Sequence, residues 1–284
     1  RSAEELVAAG VEVIVGPMNS GSIDLIQPVV EAAGVLLISP TASAVKFHGK
    51  DDNLFRINAT TRDNGRHYAE HYYARGIRRI AVAVNQNNRA FSESWLQEFR
   101  RAYEAVGGTV LIAPFFDSNA PSYEPVVHQL LAERPDGVLF IGNAVDSARL
   151  AQQVHKLRPG TPMIVAEWAG TSQLIELGGK AVEGLMLLQN YNHEDDSPRF
   201  QAFQEAYRKR FGKAPVYSSV LTYDAGIAVL TALARRDAGM KMKQALLSFG
   251  PYEGLQQKIG FDANGDARRV AYFMTVKDGR FVRE

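Results

Sequence analysis

Short runs of β-branched and other apolar residues alternate with longer stretches in which apolar residues recur at helical spacing. The runs predict strands at residues 11–15, 35–38, 79–84, 109–113, 137–141 and 163–166. The longer stretches predict helices at residues 3–8, 22–33, 92–106, 123–133 and 146–157. Buried strands separated by helices are typical of parallel sheets covered on both faces. The pattern therefore predicts a doubly wound α/β fold.

The pattern changes after an apolar run at residues 184–188. Two helices are predicted in succession, at residues 200–211 and at Tyr217–Arg235. Short elements follow: residues 259–261, a turn at 262–266, a strand at 270–276 and a hairpin turn at 277–280. Helices followed by a late antiparallel segment do not extend a simple doubly wound sheet. They indicate that the chain leaves one lobe, helps to build another, and returns at its end.

Polar residues cluster at 58–61, 189–193 and 266–269, which predicts three crossings between two lobes. The first lobe is expected to comprise residues 1–60 and 192–266. The second is expected to comprise residues 61–191 and 267–284.

Composition narrows the classes of function. The 284 residues include 32 basic and 31 acidic side chains, a balance that argues against a nucleic-acid partner. Cysteine is absent, which excludes disulfides and a thiol nucleophile. No continuous apolar run reaches the roughly 18 residues of a membrane span. We recognise no signal peptide in the sequence.

Two hydroxyl-rich loops follow neighbouring predicted strands, Gly16-Pro17-Met18-Asn19-Ser20-Gly21-Ser22 and Ser39-Pro40-Thr41-Ala42-Ser43-Ala44. Ligands of open α/β sheets collect beyond the carboxyl ends of strands, and a helix N-terminus there attracts an anion. Each loop is equally consistent with plain helix capping. Glu167 follows a third strand beside Trp168, where a carboxylate suits an ammonium group or is an ordinary solvated side chain.

No catalytic, metal or cofactor motif emerges. His67 and His71 share a helix face without the acidic residue of a metalloprotease motif. The run Asp262-Ala263-Asn264-Gly265-Asp266 begins like a calcium loop but lacks the glutamate at the twelfth position, and it is interpreted as a turn. We expect no enzyme activity, no cofactor and no metal.

Together these segments resemble the leucine/isoleucine/valine-binding protein family, the type I periplasmic binding proteins of branched-chain amino-acid ABC transporters. The similar segments, in chain order, are Val13-Ile14-Val15-Gly16-Pro17, Ile38-Ser39-Pro40-Thr41-Ala42-Ser43, Leu54-Phe55-Arg56-Ile57, residues 79–84, Ala181-Val182-Glu183-Gly184-Leu185 and Leu221-Thr222-Tyr223-Asp224-Ala225. The resemblance implies the type I periplasmic-binding-protein fold, with two lobes that close over a ligand about a hinge.

The resemblance also implies roles for individual residues. Ser20 and Ser43 are expected to hold the α-carboxylate of an amino acid. Glu167 is expected to hold the α-ammonium, together with Ser43 and Thr41. The family's aromatic position before the helix at 92 carries Phe91, which lacks a hydroxyl, and a second aromatic position is Asn143 or Ala144. These departures leave room for a larger or more polar ligand side chain.

Family members open with a further strand, helix and strand, so about 60 residues of that pattern are expected before Arg1. The implied role is capture of an amino-acid-like molecule outside the cytoplasm and its delivery to a membrane permease. The alternative is the extracellular sensing domain of a receptor with the same fold. A repressor's effector domain is a further alternative, which a preceding helix-turn-helix would support.

Overall fold

Strands and helices alternate along the chain as the hydrophobic pattern predicts. The computed structural model describes all 284 residues. Its elements from the N-terminus to the middle of the chain are α1 (Ser2–Ala8), β1 (Val13–Val15), α2 (Ser20–Ala32), β2 (Leu36–Ser39), β3 (Leu54–Arg56), α3 (Thr61–Ala74), β4 (Arg79–Asn85), α4 (Arg89–Ala105), β5 (Thr109–Ile112), β6 (Phe115–Phe116), α5 (Glu124–Ala132), β7 (Gly137–Ile141), α6 (Ala144–Leu157) and β8 (Met163–Val165). They continue as α7 (Ser172–Gly178), β9 (Met186–Gln189), α8 (Pro198–Phe211), α9 (Tyr217–Arg235), α10 (Met242–Ser248), β10 (Tyr252–Glu253), β11 (Lys258–Ile259), β12 (Tyr272–Lys277) and β13 (Arg280–Arg283).

The chain divides into two compact units. Unit 1 comprises residues 1–60 and 195–270, and unit 2 comprises residues 61–194 and 271–284. The chain therefore passes between the units three times, after residues 60, 194 and 270.

Unit 1 is built around a parallel sheet in the order β1-β2-β3. All four residues of β2 are buried, and successive side chains point to opposite faces. Leu36 and Ile38 pack in the core that α9 and α10 cover. Leu37 packs in the core that α2 covers. The central strand is therefore apolar on both faces, which explains its uninterrupted apolar run.

The predicted turn at 262–266 closes unit 1 against β3. Asp262 Oδ1 accepts hydrogen bonds from the backbone N–H groups of Asn264 and Asp266, at 2.9 and 3.0 Å. The Asp266 carboxylate forms a buried ion pair with Arg56, whose Nε donates to Oδ1 at 2.7 Å. The acidic residues of this segment thus serve a turn and an ion pair.

Unit 2 contains the larger sheet, in the order β13-β12-β9-β8-β7-β4-β5 with β6 beside β4. Strands β4, β7, β8 and β9 run parallel, whereas β12 is antiparallel to both of its neighbours. Val138 and Phe140 of β7 face the core beneath α5 and α6. Leu139 and Ile141 face the core beneath α3 and α4. The doubly wound sheet and its late antiparallel addition are both confirmed.

Helix α9 is the longest helix of unit 1. It has 19 residues, and by length and composition alone it is apolar enough to cross a membrane. Serine, threonine and aspartate interrupt its sequence, so it contains no continuous apolar run of that length. Val220 and Leu221 are buried in unit 1, and Asp224 forms a fully buried ion pair with Arg269 at 2.7 Å. These contacts are those of a core helix in a globular unit.

Candidate functional site

In unit 1 the two hydroxyl-rich loops follow β1 and β2 as predicted. Helix α2 begins at Ser20, two residues before the predicted start at 22, because Asn19 caps it. The Asn19 side chain accepts a hydrogen bond from the Ser22 N–H at 2.8 Å. Ser20 therefore lies in the first turn of a 13-residue helix, next to the positive end of its dipole.

The structure brings Ser20, Thr41 and Ser43 together. The Ser20 hydroxyl oxygen accepts hydrogen bonds from the backbone N–H groups of Ser43 and Ala44, each at 3.3 Å. The Thr41 hydroxyl donates to the backbone carbonyl of Met18. The second loop is thereby tied to the first at the carboxyl edge of the sheet.

Ser43 has unused hydrogen-bonding capacity. Its side chain is 2% exposed, and its hydroxyl has no hydrogen-bond partner in the structure. A buried hydroxyl without a partner costs about 1–3 kcal/mol, so a ligand that supplied one would be favoured. The Thr41 carbonyl, in contrast, already accepts a hydrogen bond from Asn58 Nδ2 at 3.0 Å.

In unit 2 Glu167 begins a short 3-10 turn directly after β8. It is 5% exposed, so it is not a solvated surface residue. Its Oε1 accepts a hydrogen bond from Asn64 Nδ2 at 2.8 Å, and its Oε2 accepts one from Trp95 Nε1 at 2.9 Å. Helices α3 and α4 supply these two donors.

The surroundings of Glu167 are neutral. Burial raises the pKa of its carboxyl above the ordinary value, and the hydrogen bonds from Trp95 and Asn64 oppose that rise. No arginine, lysine or histidine of unit 2 forms an ion pair with it. A buried carboxylate of this kind is suited to receive a cationic group from a ligand.

Phe91 lies in the first turn of α4 and is 6% exposed. Its ring meets Trp168 edge to face, with the ring centroids 5.5 Å apart and an interplanar angle of 79°. The two rings form an aromatic surface, and Trp168 directly follows Glu167 in the chain.

Asn143 belongs to a different polar network. It caps α6, which begins at Ala144 rather than at the predicted residue 146. Its Oδ1 accepts from the Asp146 N–H at 3.0 Å, and its Nδ2 donates to Asp146 Oδ2 at 2.8 Å. Asn85, Ser118 and Tyr123 also donate to this buried carboxylate, at 3.0, 2.7 and 2.6 Å. Contact between Asn143 and a ligand stays a prediction.

The sequence did not reveal Asn64 and Trp95. They lie 103 and 72 positions before Glu167, and no local pattern connects them with it. Asn64 follows the predicted crossing at 58–61 on a mostly polar helix, and Trp95 is an apolar position of a predicted amphipathic helix. Neither residue stands out in the sequence, because only the fold brings their N–H groups to one carboxylate.

Of the two histidines considered as a metal pair, His71 is engaged in other contacts. His71 Nε2 lies 2.8 Å from Glu284 Oε2, and its ring stacks on Phe273 at 3.6 Å. No group of three or more His, Cys, Asp or Glu side chains is placed to hold a metal ion.

The chain is similar in sequence and in structure to known binding proteins. The sequence profile of the family described as Periplasmic binding protein matches residues 1–280. A Leu/Ile/Val-binding protein of Rhizobium johnstonii is 23% identical over 232 residues, which cover 81% of this chain and 62% of that protein. A leucine-, isoleucine-, valine-, threonine- and alanine-binding protein of Pseudomonas aeruginosa is 23% identical over 277 residues, covering 95% and 72%. The crystal structure of a leucine-binding protein from Thermotoga maritima superimposes with a TM-score of 0.89 at 25% identity, covering 99% of this chain and 83% of that one.

Proposed function

Because the chain belongs to the periplasmic binding protein family, we propose that it captures an amino acid or an amino-acid-like molecule outside the cytoplasm and delivers it to an ABC transporter permease. The observation that carries the proposal is Glu167, a carboxylate that is buried in unit 2 without a cationic partner. Burying a charge without a partner is costly, so such a group is retained where a ligand supplies the opposite charge.

A zwitterion needs one holder for its anion and one for its cation. We assign the ligand's carboxylate to unit 1, where Ser20 lies at the start of α2 and Ser43 has a free hydroxyl. A helix N-terminus is a favourable place for an anion. We assign the ligand's ammonium to Glu167 in unit 2.

The side chain of the ligand is assigned to the aromatic surface of Phe91 and Trp168. This surface is apolar, which suits an aliphatic or aromatic side chain. The names of the relatives, which bind leucine, isoleucine, valine, threonine or alanine, support a small neutral amino acid. The proposed role is binding and delivery, without a chemical step.

The test is a thermal-shift screen of the twenty amino acids, in which each binder is compared with two matched analogues. One analogue lacks the amino group, as 4-methylpentanoate does for leucine, and the other lacks the carboxyl group, as 3-methylbutylamine does. A ligand present at 100 times its Kd stabilises the folded protein by about 2.7 kcal/mol. We expect at least one amino acid to raise the Tm and both analogues to fail. Stabilisation by the des-amino analogue as strong as by the amino acid would contradict the assignment of Glu167.

A further inference from the structure

Two neutral donors from different helices converge on Glu167. Asn64 comes from α3 and Trp95 from α4, and both are fully buried. Each donates to a different carboxylate oxygen, Asn64 at 2.8 Å and Trp95 at 2.9 Å. An ionised carboxylate offers about four acceptor sites, so this pair leaves about two for a ligand.

The indole of Trp95 is held in place by aromatic rings on both sides. It stacks on Phe99 with centroids 5.3 Å apart, and it meets Tyr68 edge to face at 5.0 Å. Gly65, next to Asn64, brings α3 close to α4. A Cβ atom at Gly65 would lie 2.8 Å from the backbone nitrogen of Phe99. The close approach of the helices thus sets the positions of both donors.

No charged neighbour accounts for the stabilisation of the ionised form of Glu167. Tyr68 of α3 is the nearby titratable side chain, but its hydroxyl donates to the Val165 carbonyl and accepts from the Leu188 N–H, each at 2.8 Å. Burial, followed by the charge of Glu167, raises the pKa of Tyr68, so this phenol stays neutral. The hydrogen bonds from Trp95 and Asn64, with a smaller contribution from a backbone N–H, are what favour the ionised carboxylate.

We propose that Asn64 and Trp95 are positioning residues for ligand binding, which hold the Glu167 carboxylate in one orientation, with its remaining lone pairs available to an ammonium group. The inference rests on the proposed function for the identity of the ligand. Its structural part, the control of Glu167, does not depend on any ligand.

The structural part is tested by a carbon-13 NMR titration of the Glu167 carboxyl carbon in the ligand-free protein, assigned by its disappearance in Glu167→Gln. Trp95→Phe and Asn64→Leu each remove one donor and leave an apolar side chain of related shape in its place. Both are expected to raise the pKa of Glu167 further, because the charged form loses a hydrogen bond. Tyr103→Leu is the matched control, since it removes buried ring volume from α4, and the Tyr103 ring stacks on Phe99 and not on Trp95.

Two results overturn the inference: an unchanged Glu167 titration in both donor variants, or an equal displacement of the Glu167 pKa in Tyr103→Leu. Asn64→Leu leaves the rings packed around Trp95 unchanged, so it carries the test alone if the tryptophan variant fails to fold.

Binding provides a second readout. With the amino acid that gives the largest thermal shift, each donor variant is expected to lose about tenfold to a hundredfold in affinity. In the Glu167→Gln background the same substitutions are expected to have almost no further effect. If Glu167→Gln itself leaves affinity unchanged, the proposed pairing with ammonium fails, whereas the NMR titration still decides whether the donors control the carboxyl group.

Discussion

At the scale of single residues, Asn64 determines how the site tolerates a change at Glu167. Its Nδ2 donates to the carboxylate, whereas its Oδ1 is buried without a partner. In Glu167→Gln, a half-turn of the Asn64 amide presents this oxygen to the new Gln N–H group. The Gln oxygen can keep the hydrogen bond from Trp95. The substitution therefore removes the charge while the shape and the hydrogen bonds survive.

The raised pKa of Glu167 predicts a pH dependence of stability. Burial raises the pKa of this carboxyl above its ordinary 4.5, so the folded protein binds the proton more tightly than the unfolded chain does. Its favourable contribution is present in full below the unfolded value and is lost as pH rises through the folded pKa. The free energy of unfolding of the wild type, minus that of Glu167→Gln, should therefore fall as pH rises above 4.5 and then level off.

Urea unfolding of both proteins over a pH series from about 4 to 8 measures this difference. Other titrating groups cancel in the subtraction. A difference that stayed constant, or that increased with pH, would show that burial does not govern the ionisation of Glu167.

At the scale of elements, the strength of the hydrophobic pattern decided several of the outcomes. The 19-residue helix Tyr217–Arg235 and the strand Gly137–Ile141 were predicted with the observed bounds, because long periodic or uniformly buried segments carry a strong signal. The two-residue strand Phe115–Phe116 and the seven-residue helix Met242–Ser248 were not predicted. Segments this short complete too little of a period to be recognised, and tertiary packing decides their structure.

The contact between α3 and α4 predicts the effect of substituting Gly65. In Gly65→Ala the new methyl group would lie 2.8 Å from the backbone nitrogen of Phe99, so the two helices must separate. We expect a loss of about 1–3 kcal/mol in the free energy of unfolding. Gly226→Ala in α9 is the matched control, because its Cβ meets nothing within 4 Å. It should be neutral or stabilising by up to about 1 kcal/mol.

Denaturant unfolding of both glycine variants tests the prediction. If Gly65→Ala were as stable as the wild type, close helix packing would not be what fixes Asn64 and Trp95. If Gly226→Ala were equally destabilised, the loss would reflect a general property of helical glycines and not the α3–α4 contact.

At the scale of the whole molecule, the sequence predicted which candidate binding residues follow strand ends but not the contacts that hold them. Ser20, Thr41 and Ser43 follow strand ends, a position that the hydrophobic pattern makes visible. The identity of Glu167 as a buried carboxylate was not visible, because its burial depends on Asn64 and Trp95, which are distant in sequence. The roles proposed for these residues come from the family resemblance, whereas their surroundings come from the structure.

The most direct test of the account is isothermal titration calorimetry of the wild type and Glu167→Gln with the best amino acid from the screen. Removing one member of a buried charge pair costs about 3–5 kcal/mol, so Glu167→Gln should lose roughly two to four powers of ten in affinity. Its Tm without ligand should stay close to that of the wild type at low pH. Equal affinities of the two proteins for the amino acid would contradict the claim that Glu167 binds the ammonium group, and with it the main argument for an amino-acid ligand.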